Sequence, residues 1–299
     1  MTSIVRKIHE FIEPLEMQKT TSTRARFIAA AFGTLFIASA SVSEAGTSLI
    51  PSPSVVDYSD GNGWASGVGI QLESSAVYRG SDHSVLEVKP EGAVQWRSGE
   101  HMFFWEGYDL NDSNLGWRSL LQNTWLIEGG ARHEIVIPSS RSEKAGLENL
   151  PHRGSHILGF FEARRALDSD WKNWVSSRFL FGSNEYGWQS KLSAGHRLSD
   201  GHYNNGTELV LFSTFASQEN KNNYFGINEE DAAATGLQEI GFEGGYRSSG
   251  LDVVYRKYIN KRMQLTAKAG IEFYSSDIEK SELVRDATET SAELSLVWR

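Results

Sequence analysis

The sequence predicts an all-β protein, an antiparallel transmembrane β-barrel of about ten to twelve strands that follows a cleaved signal peptide. Three observations carry this. The first is Arg262–Tyr274, in which Met263, Leu265, Ala267, Ala269, Ile271 and Phe273 alternate with Gln264, Thr266, Lys268, Gly270 and Glu272. A period of two gives a strand with two unlike faces, and this one is longer than most soluble strands. The second is an uncharged run near the N-terminus with the form of an export signal. The third is a final alternating segment that ends at the C-terminus. A soluble sandwich with long strands gives the same alternation, its apolar face on a core instead of lipid. Export, strand length and the terminal strand together favour the barrel.

Composition narrows the classes. Apolar residues make up 39% of 299, too few for a helical membrane bundle. A barrel needs apolar residues only at every second position of its strands. With no Cys there is no disulfide framework, thiolate metal site or Cys nucleophile. Twenty-eight Gly against six Pro suit turns and twisted strands, and 9 Trp, 10 Tyr and 15 Phe can supply interfacial girdles. A net charge of −9 argues against nucleic acid as a partner.

Taken in order, residues 1–45 form the signal peptide. Phe27–Ser43 carries no charge, Arg24 and Arg26 precede it, and Ser43-Glu44-Ala45 resembles a small-x-Ala cleavage site. Met1–Glu16 is long and acidic for the basic segment of such a signal, so Met17 is the better-proportioned start. Residues 46–63, with Pro51, Pro53 and Gly61, read as a flexible leader, and 64–299 as the barrel. Trp64–Tyr78, Val85–Arg97 and His101–Leu110 form a meander with turns at Gly80-Ser81-Asp82 and Ser98-Gly99. Leu115–Ile137 is less regular and holds at least one strand, around Thr124–Ile137. Pro138–Gly154 is polar loop. Ser155–Leu167 and Trp171–Ser183 make a hairpin turned at Asp168-Ser169-Asp170. Tyr186–Leu198 and Gly206–Ser217 follow, then Gly250–Ile259, Arg262–Tyr274 and Thr288–Trp298. Asn220–Gly236 breaks the alternation, and within it Glu229–Thr235 reads as one short helical turn.

Several short stretches resemble the MipA/OmpV family, the MltA-interacting outer-membrane proteins. They are Tyr78-Arg79-Gly80-Ser81, Gly146-Leu147-Glu148-Asn149-Leu150, Tyr224-Phe225-Gly226-Ile227 with Thr235-Gly236-Leu237, and Ser281-Glu282-Leu283-Val284, where Glu282 stands for the usual proline. They occur in the family's order across nearly all of the mature chain. The resemblance implies a barrel in the cell outer membrane, in contact with outer-membrane lipid. The family's eponymous member is a non-catalytic scaffold linking a lytic murein transglycosylase to a penicillin-binding protein, and other members are general outer-membrane proteins tied to osmotic or antibiotic responses, so the resemblance implies one of these roles. It brings no catalytic motif and no cofactor. One departure is that Trp298 is penultimate and Arg299 last, which displaces by one residue the terminal aromatic such barrels usually present.

Two sets of residues are candidates for function. Alternation assigns Gln71, Glu73, Glu87, Lys89, Gln95, Arg97, Gln189, Lys191, Lys268 and Glu272 to the lumen. Tyr224, Phe225, Gly226, Gly236 and Leu237, in the one stretch that breaks the alternation, are expected to contact a partner, to fold back as a plug over the lumen, or simply to pack on the barrel rim and steady the loop. His152 and His156 are four apart but straddle a loop–strand junction, so their spacing does not make a metal site. Neither G-x-S-x-G nor H-E-x-x-H occurs, which leaves an outer-membrane lipid hydrolase as the weakest alternative. A small pore or surface barrel without murein partners is the stronger one.

Overall fold

The computed structural model describes residues 62–298 apart from 77–78, 108–112, 136–149, 151–154, 184, 199–204 and 261. The expected signal peptide, the leader up to residue 61, and Gly146–Asn149 lie outside the described residues. Twelve strands are present: β1 (Gly63–Ala76), β2 (Ser84–Ser98), β3 (His101–Gly107), β4 (Ser113–Leu121), β5 (Trp125–Ile135), β6 (Ser155–Ala166), β7 (Asn173–Phe181), β8 (Trp188–Arg197), β9 (Gly206–Ala216), β10 (Gly245–Asn260), β11 (Met263–Tyr274) and β12 (Thr288–Trp298). Each pairs with its sequence neighbours, and β1 closes on β12 from Val68↔Trp298 to Ser74↔Ala292. Closure removes the unpaired edges that an open sheet would expose.

Three segments differ from the sequence reading. Leu115–Ile137 is a complete hairpin, β4 and β5, turned through Gln122 (φ 51°) and Asn123 (φ 55°). Its alternation is masked because Leu120 faces inward while its neighbour Leu121 faces outward, so both sides of β4 are apolar near the turn. β10 begins at Gly245 rather than Gly250, with a bulge between Tyr246 and Ser248 that leaves Arg247 buried at the barrel end. The β2–β3 turn is Gly99-Glu100, since Ser98 pairs with His101; Gly99 has φ 60°, which favours glycine.

The two ends of the barrel are unlike. One carries the start of β1, the end of β12 and the short connections 99–100, 122–124 and 167–172. The other carries the long ones, of which 217–244 and 275–287 are described throughout. Outward side chains are largely apolar, among them Val88, Leu115, Ile157 and Leu211. Aromatic rings flank them. Trp64, Trp96, Phe103, Trp125 and Trp298 lie near the short-turn end, and Phe179, Phe181, Trp188, Tyr246 and Phe273 near the other. Several of these rings pack together: Trp96–Phe103 at 5.9 Å and Phe179–Trp188 at 5.8 Å between centroids.

The connection from β9 to β10 contains two helices, α1 (Gln218–Phe225) and α2 (Glu229–Thr235). Ser217 caps α1 by accepting from the Asn220 amide. Asn228 and Asp231 form a capping box on α2, and Gly236 ends it in the left-handed conformation, φ 74°.

Candidate functional site

The inner face is charged and largely self-paired. Lys89 Nζ lies 2.8 Å from Glu73 and 3.2 Å from Glu87 on the β1–β2 wall. On β3–β5, Arg118 Nε donates to Glu128 at 2.5 Å, its Nη2 is 3.7 Å from Glu106, and its guanidinium lies over the Phe104 ring. Arg164 Nη2 is 2.8 Å from Glu162 and stacks on Trp174. The Trp174 indole donates to Glu208 at 2.6 Å, and Arg256 is 3.2 Å from the other oxygen of the same carboxylate. Trp174 fits because its neighbour on β8 is Gly195, where a Cβ would fall inside the indole. Between these walls a cavity of about 280 Å³ remains, in the half of the barrel nearer the short turns.

The long-loop end is closed by a lid. Tyr224 and Phe225, in the last turn of α1, pack edge-on against Tyr186 and Tyr274 respectively. Arg79 and Arg247 lie over the Tyr224 ring at 5.0 and 5.6 Å. Arg247 is anchored by Gln189 Oε1 at 2.7 Å and by Glu272 at 3.6 Å. The lid is tied to the 275–287 connection at several points. Lys221 Nζ meets Asp277 at 2.5 Å, Ser281 Oγ donates to the Phe225 carbonyl at 2.6 Å, and the Gln238 amide donates to Glu282 at 2.8 Å. Ile227 bridges Ile240 and packs with Leu283 and Leu237. The Gly80 carbonyl accepts from the amides of Arg285 and Asp286 at 2.7 and 3.0 Å. Burial raises the Asp277 carboxyl, but hydrogen bonds from Lys221 and Ser275 outweigh it and hold the group below its usual range.

All ten expected lumen residues fall on the inner side, in four groups. Gln71, Glu73, Glu87 and Lys89 join in one cluster. Gln189 and Glu272 meet through Arg247, while Lys191 and Lys268 line the cavity. Gln95 is buried near the short-turn end, and Arg97 there donates to the Gly99 carbonyl at 2.9 Å. Sequence reading missed Arg118, Glu128, Glu162, Trp174, Arg178, Glu208 and Arg256. Charges two apart, as in Glu162-Ala163-Arg164, were the available signal.

The expected partner segment needs correction. Tyr224 is 2% exposed and Phe225 0%, so neither ring has a face left for a partner. Both rings pack within the lid at the long-loop end, a placement that the plug and rim-packing readings share. Gly226 is required sterically, since a Cβ would fall 2.8 Å from the Asn222 carbonyl oxygen; Gly236 is required conformationally. Leu237 is half-buried in the lid. The stretches that carry the family resemblance converge here although they are far apart in sequence: Arg79-Gly80-Ser81, Tyr224–Ile227 and Ser281–Val284 all build the lid. His152 and the side chain of His156 lie outside the described residues.

A closed antiparallel barrel with an apolar outer band between aromatic rings and a polar, charged interior is an outer-membrane β-barrel. The chain belongs to the MipA family: residues 67–299 match the family described as MltA-interacting protein MipA. Comparison with curated proteins finds none that matches. Among solved structures it is similar to an outer membrane channel from Pseudomonas putida F1, 12% identical with a TM-score of 0.43, over 81% of this chain and 99% of that one. It is also similar to the NanC porin, 8% identical with a TM-score of 0.41, over 79% and 100%. A third is the KdgM porin in complex with disordered oligogalacturonate, 7% identical with a TM-score of 0.40, over 78% and 98%.

Proposed function

We propose that this barrel is a non-catalytic scaffold of the outer membrane that holds a lytic murein transglycosylase, and with it a penicillin-binding protein, beside the peptidoglycan. The observation that carries this reading is the match of residues 67–299, essentially the whole barrel, to a family described by its interaction with MltA. Two features of the geometry support it. The lumen is cross-linked by ion pairs and capped by the lid, so the protein offers its surface rather than a passage. Among the described residues the short-turn end carries no lid, and in outer-membrane barrels short turns face the periplasm, where murein enzymes work. The docking surface is therefore the short-turn rim, including the exposed Glu100 and Asp170.

The test is co-purification from detergent. Wild-type protein is expected to retain the transglycosylase. Glu100→Arg with Asp170→Arg is expected to lose it while the barrel still shifts on heating in a gel. Tyr224→Ala with Phe225→Ala, at the opposite end, is expected to keep it whenever the barrel assembles. Wild-type protein that elutes without any murein enzyme would contradict the reading. The second reading is a small pore with no murein partner, and the cavity is the observation that favours it.

A further inference from the structure

Strand register fixes which inward side chains are neighbours around the barrel. One row runs Arg118, Glu128, Glu162, Arg178, Lys191 and Thr214, each the direct partner of the next across β4 to β9. The first half neutralises itself. Arg118 holds Glu128, and Arg164 holds Glu162. The second half does not. Arg178 and Lys191 are like charges directly opposite each other, an arrangement that destabilises a sheet. The next partner, Thr214, is uncharged.

Among the described residues neither cation has a carboxylate within hydrogen-bond distance, and Arg178 keeps only a long ion pair. Arg178 approaches Glu162 only at 3.9 Å, and its buried Nε has no hydrogen-bond acceptor. Lys191 Nζ sits 3.6 Å above the centre of the Phe212 ring, with no carboxylate at ion-pair distance. One pleat nearer the short turns, Ser176 and Ser193 are also register partners and face the same way. These four side chains line the cavity together. Of the acids across it, Glu208 is engaged with Trp174 and Arg256, Asp252 lies 3.7 Å from Lys268, and Glu293 is the register partner of Lys268. A local cationic wall thus persists in a chain of net charge −9.

We infer that this wall binds a small solute carrying an oxyanion, a carboxylate or a phosphate, which enters from the short-turn end. Arg and Lys offer only donors. A guanidinium matches two oxygens of an oxyanion at once, and the ammonium and two hydroxyls supply donors around it. An anion between Arg178 and Lys191 turns a repulsive pair into a bridged one. The volume, about 280 Å³, is at the lower edge of small-molecule pockets. Its lining reaches Gln264 and Val297, each one residue from the short-turn end of its strand, whereas the lid closes the other end. Among the described residues the pocket lies toward the short-turn end, away from the lid, and it does not depend on the scaffold reading.

The experiment is thermal unfolding of the full-length protein in detergent, with inorganic phosphate or malonate compared against chloride at equal ionic strength. A ligand that binds only the folded state raises the midpoint. Wild-type protein is expected to gain several degrees in at least one of the two. A gain in malonate alone assigns the carboxylate, and a gain in phosphate alone assigns the phosphate. Lys191→Gln and Arg178→Gln are each expected to lose that gain. In chloride Lys191→Gln should melt no lower than wild type, because it removes one of two apposed like charges and no ion pair. Lys191→Arg is expected to keep the gain. No gain for wild type in either anion, an equal gain in both glutamine variants, or a lower midpoint of Lys191→Gln in chloride would overturn the inference.

Discussion

Arg118 is 1% exposed and is the pivot of the β3–β5 wall, bonded to Glu128, near Glu106 and stacked on Phe104. Without it, Glu128 faces Glu162 in register, two acids with only the β6–β7 arginines to balance them. Arg118→Ala is therefore expected to cost about 3–5 kcal/mol in urea unfolding from detergent or vesicles, the penalty for orphaning a buried charge. Arg118→Met combined with Glu128→Gln should recover most of that loss, because no charge is then left alone. A double variant as unstable as the single would show that packing, not charge, sets the cost. Legibility at this scale followed the cleanness of the alternation. Lys89 and Lys268 could be placed from sequence because their neighbours within two residues put no large apolar group on the inner side. Arg118 could not, because Trp117, Leu120 and Leu121 surround it with apolar groups on both faces.

At the scale of elements, the lid was only half readable. α2 was legible as the short turn Glu229–Thr235, but α1 has no apolar stripe, and only the cap at Ser217 marks its start. Its stability comes from the two rings at its end and from Lys221, which is 2% exposed and latched to Asp277. Asp277→Asn is expected to loosen the lid, seen as faster amide exchange through 218–243 with strand exchange unchanged. Unchanged protection of α1 in that variant would show that the aromatic packing alone suffices. The pH dependence follows from the direction of the shift. The folded state holds the Asp277 carboxyl below its ordinary 3.8, so its contribution is complete above that value and is lost as pH falls through the lower, folded value. Exchange at the lid, corrected for the intrinsic rate, should stay flat from neutral to about pH 5 and rise only in stronger acid.

For the whole molecule, the two-faced strands made the barrel legible, while the exact strand number was not, since one hairpin hid in Leu115–Ile137. The outward band makes a further prediction. Leu211, mid-strand on β9 and 61% exposed, lies on the outward face, so Leu211→Arg is expected to cost about 2–4 kcal/mol in folding into bilayers. The same change at Thr266, which lines the cavity, should cost less. Equal damage at both positions would mean that the outer face is not in lipid. The central claim is that this is a capped barrel that works by what it holds rather than by what it passes. Planar-bilayer recording of the purified protein tests that most directly. The account predicts no steady conductance from wild-type protein, and stepwise openings once the lid is unpinned by Lys221→Ala with Asp277→Ala. A steady ohmic conductance from wild-type barrels would contradict it.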